Sequence, residues 1–228
     1  MKNLAIIPAR GGSKRIPHKN IRPFFGKPII AYSIETAFSS GLFDEVMVST
    51  DDKEIASVAM EYGASVPFMR SEDTSNDYAT IADVLNDVLG MYKDCGYTYD
   101  NMCCILATSP LLTIDKLRDA YDKLIASEDL TTVYPIVPFS YPVLRSLKMD
   151  KDGYLRMNWP EYAKTRSQDL ETMYHDSGTF YWHKIQPWIA GALIKGGIIM
   201  DEMSVQDIDT EMDWQLAKLK YSLLYSNG

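Results

Sequence analysis

Ile6-Ile7-Pro8-Ala9-Arg10-Gly11-Gly12-Ser13-Lys14-Arg15-Ile16-Pro17-His18-Lys19-Asn20 begins as an apolar strand and turns into a loop rich in glycine and positive charge. Seven cations, Lys2, Arg10, Lys14, Arg15, Lys19, Arg22 and Lys27, precede the first acidic residue, Glu35. The rest of the chain sets 16 Lys and Arg against all 31 Asp and Glu. A chain of net charge −8 that gathers cations into one loop is suited to holding a small, highly charged anion there. Backbone N–H groups freed by glycine, together with Lys and Arg heads, are what a triphosphate needs. The loop contains neither GxGxxG nor GxxxxGK followed by Ser or Thr, which disfavours both a dinucleotide fingerprint and a P-loop. It is a longer, irregular wrap after a first strand, and open α/β sheets bind ligands at that carboxyl end. A solvated basic loop without a ligand accounts less well for such a concentration of charge.

Working outward, strands and helices alternate. Leu4 to Pro8 reads as a buried parallel strand. Pro28 sits at the first position of a helix with Ile30, Ile34, Ala37 and Phe38 inward and Gly41 as its stop. Glu45 to Ser49 is a second strand, and Asp51 or Asp52 caps a helix ended by Gly63. Ser65 to Phe68 reads as a short third strand, and Thr80 to Tyr92 is a strongly periodic helix. Met102 to Ala107 is a central strand, Thr113 caps a further helix, and Thr131 to Val137 is another strand. Gly178 to Trp182 reads as a strand with exposed aromatics, Ile198 and Ile199 as a short strand, and Thr210 to Leu224 as the closing helix behind a capping box. The alternation predicts an α/β fold, a mostly parallel sheet with helices on both faces. Residues 139–170 break the rhythm with aromatics, prolines and an Asp-Lys-Asp-Gly turn, and read as a β-hairpin arm inserted into a single unit spanning 1–228.

Composition narrows the function. An acidic balance with one local basic loop argues against nucleic acid or anionic lipid as partner. No apolar run is long enough to span a membrane, and no signal-peptide pattern opens the chain. Three cysteines, Cys95, Cys103 and Cys104, with no CxxC pair, point to a reduced, cytoplasmic setting rather than a disulfide framework.

The stretch from Ile7 to Asn20 resembles the signature loop of the acylneuraminate cytidylyltransferases, the CMP-sialic-acid synthetase family. The resemblance implies a Rossmann-like nucleotidyltransferase fold with a dimerisation arm. It makes Pro8, Ala9, Arg10, Gly11, Ser13, Lys14, Lys19 and Asn20 the nucleotide-binding loop, with Arg10 and Lys19 catalytic and Lys14 and Arg15 closing over the triphosphate. Arg70, Asp77 and Thr80 fit the loop around the cytosine. Thr108 and Ser109, in Ala107-Thr108-Ser109-Pro110, become substrate contacts. Leu106 and Ala107 stand where the sialic acid enzymes carry Gln and Pro.

The sharpest chemical pair is Asp207 and Asp209. Alternate residues of an extended segment point the same way, about 6.5–7 Å apart. Two such carboxylates can share a hard cation, and Mg²⁺ favours few carboxylates with waters and phosphate oxygens. The resemblance makes them the Mg²⁺ ligands; the plain structural alternative is helix capping by Asp209 or Thr210. His175-Asp176 invites a triad reading, but no Ser in a GxSxG context accompanies it, which argues against hydrolase chemistry. Tyr174-His175-Asp176-Ser177-Gly178-Thr179-Phe180-Tyr181-Trp182 instead resembles the branch of the family that activates pseudaminic acid. Arg145 and Arg166 can grip a sugar carboxylate as bidentate forks, or pair within the arm; His175 joins them as a sugar-side candidate. The expectation is therefore cytidylyl transfer from CTP to a nine-carbon 2-keto sugar acid, pseudaminic acid first, by a Mg²⁺-dependent homodimer. Legionaminic, N-acetylneuraminic and 3-deoxy-octulosonic acids are alternatives, as is a non-catalytic nucleotide-binding module of the same fold.

Overall fold

The computed structural model describes residues 1–225. Strand β1 (Asn3–Pro8) is buried from Asn3 to Ile7 and runs into the basic loop. That loop ends in a small hairpin, β2 (Pro23–Phe24) and β3 (Lys27–Pro28). Its two turn residues, Phe25 and Gly26, both have positive φ, 44° and 90°, as a primed turn demands. Helix α1 (Ile29–Ser40) follows and stops at Gly41, whose φ of 66° is the left-handed cap. Pro28 lies one residue outside this helix, as its N-cap. Ile30, Ile34 and Ala37 face inward, but Phe38 is 47% exposed and leans on the turn at Gly63 instead.

Strand β4 (Glu45–Ser49) pairs parallel with β1. Asp52, not Asp51, caps α2 (Lys53–Glu61), accepting from the Glu54 and Ile55 amides. The expected strand at 65–68 is reduced to one bridge between Met47 and Ser65. Pro67 has no N–H to extend a ladder, so the chain leaves the sheet. After the short α3 (Glu72–Ser75), Thr80 and Asp83 form a reciprocal capping box on α4 (Ile81–Asp94). Strand β5 (Asn101–Ile105), α5 (Ile114–Ala126) capped by Thr113, and β6 (Thr132–Pro138) complete the alternating part.

Between β6 and the next sheet strand, β7 (Leu147–Met149) and β8 (Leu155–Met157) pair antiparallel as a separate two-stranded sheet. Its turn places Gly153 at φ 87°. The chain then returns through β9 (Tyr174–Asp176) and β10 (Phe180–Lys184), α6 (Ile185–Ile189), β11 (Lys195–Ile199) and α7 (Glu211–Tyr225).

The main sheet has seven strands in the order β11-β6-β10-β5-β1-β4, with β9 paired to β6. It is mostly parallel; β10 runs antiparallel to β5 and β6, and β9 antiparallel to β6. Lying centrally, β10 hides its aromatics rather than exposing them: Phe180 and Trp182 are fully buried. Trp182 stacks on Phe43 at 5.0 Å and donates to the Leu117 carbonyl. Alternate residues of the sheet feed two cores, as period-two alternation requires. Ile7, Val48, Cys103 and Trp182 pack with residues of α1, α2 and α5, whereas Leu4, Ile6, Met47 and Cys104 pack against Val84, Leu85 and Val88 of α4. A third cluster, of Ile16, Phe24, Ile29, Tyr32, Ile208, Trp214 and Ala217, joins the basic loop to the C-terminal helix. Burying each of these large side chains contributes about 1.5–3 kcal/mol. That cluster positions the site. All three cysteines are free, and no helix of the described residues is long and apolar enough to cross a membrane.

Candidate active site

The basic loop is held from below. The Ala9 amide donates to the Ser49 carbonyl at 2.9 Å, extending the β1–β4 ladder by one rung. The Gly11 amide donates to Asp51 Oδ1 at 2.9 Å. A Cβ on Gly11 would lie 2.6 Å from Asp52 Oδ2, so no side chain fits while α2 keeps its cap. Asn20 donates its side-chain amide to the Arg10 carbonyl at 2.9 Å, and Ile16 is sunk in the third cluster. The charged heads are therefore carried on a shaped frame.

The frame borders a cavity of about 590 Å³ at the carboxyl ends of β1 and β5. Pro8, Arg10, Ser13, Lys14, Lys19 and Asn20 line one side, Arg70, Asp77 and Thr80 a second, Thr108 a third, and Asp207 and Asp209 close it. Residues from the start, middle and end of the chain thus meet. Lys19 Nζ donates to the Ile208 carbonyl at 2.6 Å and stands 3.7 Å from Asp209 Oδ1. Arg15 reaches the same Asp209 oxygen at 2.9 Å. Arg10 pairs with Asp77 at 2.9 Å, and Lys14 donates to the other Asp77 oxygen. Arg70 is 9% exposed and bonds the Ser49 side chain and carbonyl; burial lowers its pKa from the ordinary value.

Thr210, not Asp209, caps α7: its hydroxyl accepts from the Asp213 amide, and Asp213 accepts back from the Thr210 amide at 2.7 Å. The Asp209 carboxylate is thereby left to the cavity. Ile208 is fully buried between the two aspartates and fixes them as neighbours. Burial, then the charge of Asp209, pushes the Asp207 carboxyl above its usual range. Two acidic groups crowded at a half-buried site fit a divalent cation, which would relieve both costs. No cluster of three or more His, Cys, Asp or Glu occurs among the described residues. Two neighbouring carboxylates could hold a hard divalent cation whose remaining ligands are waters and phosphate oxygens.

Other expected contacts lie elsewhere. Ala9 is fully buried beneath the loop, and the Gly11 amide is already used by Asp51. Ser109 is 3% exposed and spends its hydroxyl on the Thr179 carbonyl at 3.2 Å, so it braces the loop rather than facing the cavity. Arg166 forks onto Asp169 at 2.6 and 3.1 Å within the arm. Arg145 lines a separate arm groove beside Phe139, Tyr141 and Leu147. His175 turns its Nδ1 to the Asp176 carbonyl and its ring to Phe139. None of these three lines the cavity. Sequence reasoning singled out Leu106 but passed over the rest of the apolar wall, Ala79, Ile81 and Val84, as site residues, and Asn76, whose carbonyl accepts from Arg10 at 3.1 Å. Apolar residues such as Ala79, Ile81 and Val84 carry no chemical signature, so nothing in their own pattern marks them as site residues.

A match to the Cytidylyltransferase family covers residues 4–179, which include the basic loop and strands β4, β5 and β6 of the sheet. The chain belongs to the cytidylyltransferase family. This cytidylyltransferase is a nucleotidyltransferase. It is 42% identical to pseudaminic acid cytidylyltransferase of Campylobacter jejuni across the full length of both chains. It is 31% identical to CMP-N,N'-diacetyllegionaminic acid synthase of Legionella pneumophila over 96% of this chain and 95% of that one. Its fold is that of a CMP:2-keto-3-deoxy-manno-octonic acid synthetase complexed with CTP, with a TM-score of 0.69 at 18% identity, covering 99% of this cytidylyltransferase and 100% of that chain.

Proposed function

We propose that the chain transfers the cytidylyl group of CTP to pseudaminic acid, forming CMP-pseudaminic acid and pyrophosphate. The observation that carries the reaction is the meeting of the basic loop with Asp207 and Asp209 around one cavity. The choice of sugar is supported by 42% identity, over the full length, to a pseudaminic acid cytidylyltransferase.

In this reading Arg10, Ser13, Lys14, Lys19 and Asn20 hold the triphosphate, while Arg70 and Thr80 border the base. The anomeric hydroxyl of the sugar attacks the α-phosphorus in line; the new O–P bond forms as the bond to the β-phosphate oxygen breaks. Arg10 and Lys19 stabilise charge developing on the phosphates, where preformed donors act most strongly. Asp207 and Asp209 would hold Mg²⁺, which would neutralise phosphate charge and lower the pKa of the attacking hydroxyl. Thr108 approaches the sugar from the β5 side. No covalent enzyme intermediate is needed.

Residues 1–228 act as one unit in this reading, and the arm at 139–170 pairs with a second copy. Support comes from the arm's apolar exposure: Met149 and Tyr154 are 72% and 71% exposed, Leu155 60%. Such a patch is characteristic of an interaction surface. Pairing would bring Arg145, Arg166 and His175 toward a partner's cavity, the sugar side of the site. Free, mostly buried thiols suit a reducing, cytoplasmic setting.

Incubating the protein with CTP, Mg²⁺ and one sugar acid at a time, and following pyrophosphate release, tests the proposal. Turnover with pseudaminic acid is expected. Turnover with legionaminic, N-acetylneuraminic or 3-deoxy-octulosonic acid but not with pseudaminic acid overturns the sugar assignment. No turnover with any of them favours the non-catalytic module.

A further inference from the structure

Two cations of the basic loop share one carboxylate. Arg10 Nη1 lies 2.9 Å from Asp77 Oδ1, and Lys14 Nζ donates to Asp77 Oδ2, so both oxygens are occupied. The arrangement is accessible to water: the Lys14 side chain is 78% exposed and that of Asp77 46%. Exposed pairs are weak and exchange readily. Asp77 itself is not free to follow its partners. Asn76 pins the turn, accepting from the amides of Tyr78 and Ala79 at 2.8 and 3.0 Å and donating to the Asp73 carbonyl at 2.7 Å. The Thr80–Asp83 capping box anchors the next residues. An anion carried on a pinned turn therefore sits on two cations of the basic loop.

We infer that Asp77 is an internal competitor of polyphosphate: an anion on Arg10 and Lys14 that a polyphosphate must displace before it binds, which loosens its hold and speeds its release. The inference rests on reading Arg10 and Lys14 as phosphate-holding groups. A single phosphate offers these cations little more charge than the carboxylate already does. A di- or triphosphate offers several charges and more acceptor oxygens, so it displaces Asp77 where a monophosphate does not. After transfer, the return of Arg10 and Lys14 to Asp77 helps pyrophosphate to leave. This assigns Asp77 a role opposite to that of a direct nucleotide ligand, because its charge opposes binding.

The test compares wild type with Asp77→Asn, which keeps shape and removes charge, in the full chain at fixed ionic strength. Asp73→Asn removes a nearby charge without touching either cation. Calorimetric titrations use pyrophosphate, CTP and CMP. Asp77→Asn is expected to bind pyrophosphate and CTP about threefold to tenfold more tightly. Its CMP affinity, and all affinities of Asp73→Asn, stay within about twofold of wild type. Pyrophosphate should also leave Asp77→Asn more slowly in a stopped-flow chase. Equal or weaker pyrophosphate binding by Asp77→Asn overturns the inference, as does the same tightening in Asp73→Asn. If wild type binds CTP and pyrophosphate, the phosphate-loop reading stands whatever Asp77→Asn does. If wild type binds neither, that reading and the inference fall together.

Discussion

Lys19 and Asp209, from opposite ends of the chain, stand 3.7 Å apart, while the same Lys19 Nζ donates to the Ile208 carbonyl at 2.6 Å. The contact joins the loop that would hold the nucleotide to the segment that would hold the metal. The buried cluster of Ile16, Phe24, Ile208 and Trp214 sets that spacing from beneath.

Lys19→Met keeps the side-chain length but removes the charge and the tie to Ile208. A lost donor at developing phosphate charge costs on the order of 10²- to 10³-fold in rate. We expect that loss in kcat/KM for CTP, with the protein still folded by circular dichroism. Activity within about threefold of wild type would show that Lys19 only ties the loop.

Asp207→Asn separates function from stability. The like charges of Asp207 and Asp209 and the burial of Asp207 work against the folded state without metal. Removing one charge should raise Tm measured in EDTA by roughly 2 °C, the scale for a gain of under 1 kcal/mol in a chain of this size, while transferase activity falls to background. Added Mg²⁺ should raise the Tm of wild type but not of Asp207→Asn. A variant that loses neither activity nor its Mg²⁺ response contradicts the metal assignment.

His183 supplies an acid-sensitive stability term. Burial, then the charge of Lys195, holds its pKa down to about 4 from 6.5, while Nδ1 meets the Thr132 hydroxyl at 2.9 Å. The folded state therefore keeps His183 neutral between those values, where the unfolded chain takes up a proton. Stability is present above pH 6.5 and is lost as pH falls toward 4. The shift corresponds to about 3 kcal/mol at 1.36 kcal/mol per unit. Urea unfolding of His183→Gln should show a flatter pH dependence over that window; parallel curves would exclude His183 as the cause.

The arm gives a test of assembly. Met149→Asp with Leu155→Asp puts charge on two exposed apolar residues of the β7–β8 hairpin. Light scattering should find wild type dimeric and the double variant monomeric. KM for the sugar should rise at least about tenfold and KM for CTP change little. A variant that stays dimeric removes the arm from the interface.

Much of this was legible in the residues. Alternating apolar runs and caps such as Thr80 and Thr113 predict the α/β order, because period and capping are local signals. Charge counting marks the basic loop before any geometry. What sequence does not carry is pairing between distant segments. The antiparallel insertion of β10 between β5 and β6, which buries Phe180 and Trp182, depends on sheet order rather than on its own residues. The strand expected at 65–68 failed because Pro67 outweighs its apolar neighbours. Ser109 looked like a substrate hydroxyl, but the backbone of Thr179 claims it. The family resemblance made Asp77 a nucleotide contact, and only the structure shows it seated on Arg10 and Lys14.

The most direct test is a competition. CTP and Mg²⁺ are supplied with equimolar pseudaminic, N,N'-diacetyllegionaminic and N-acetylneuraminic acids, and the CMP-sugars formed are quantified by proton NMR, which separates the stereoisomers. CMP-pseudaminic acid as the dominant early product, with pyrophosphate in equal amount, is the expected result. A dominant CMP-legionaminic or CMP-neuraminic product, or pyrophosphate without any CMP-sugar, would contradict it.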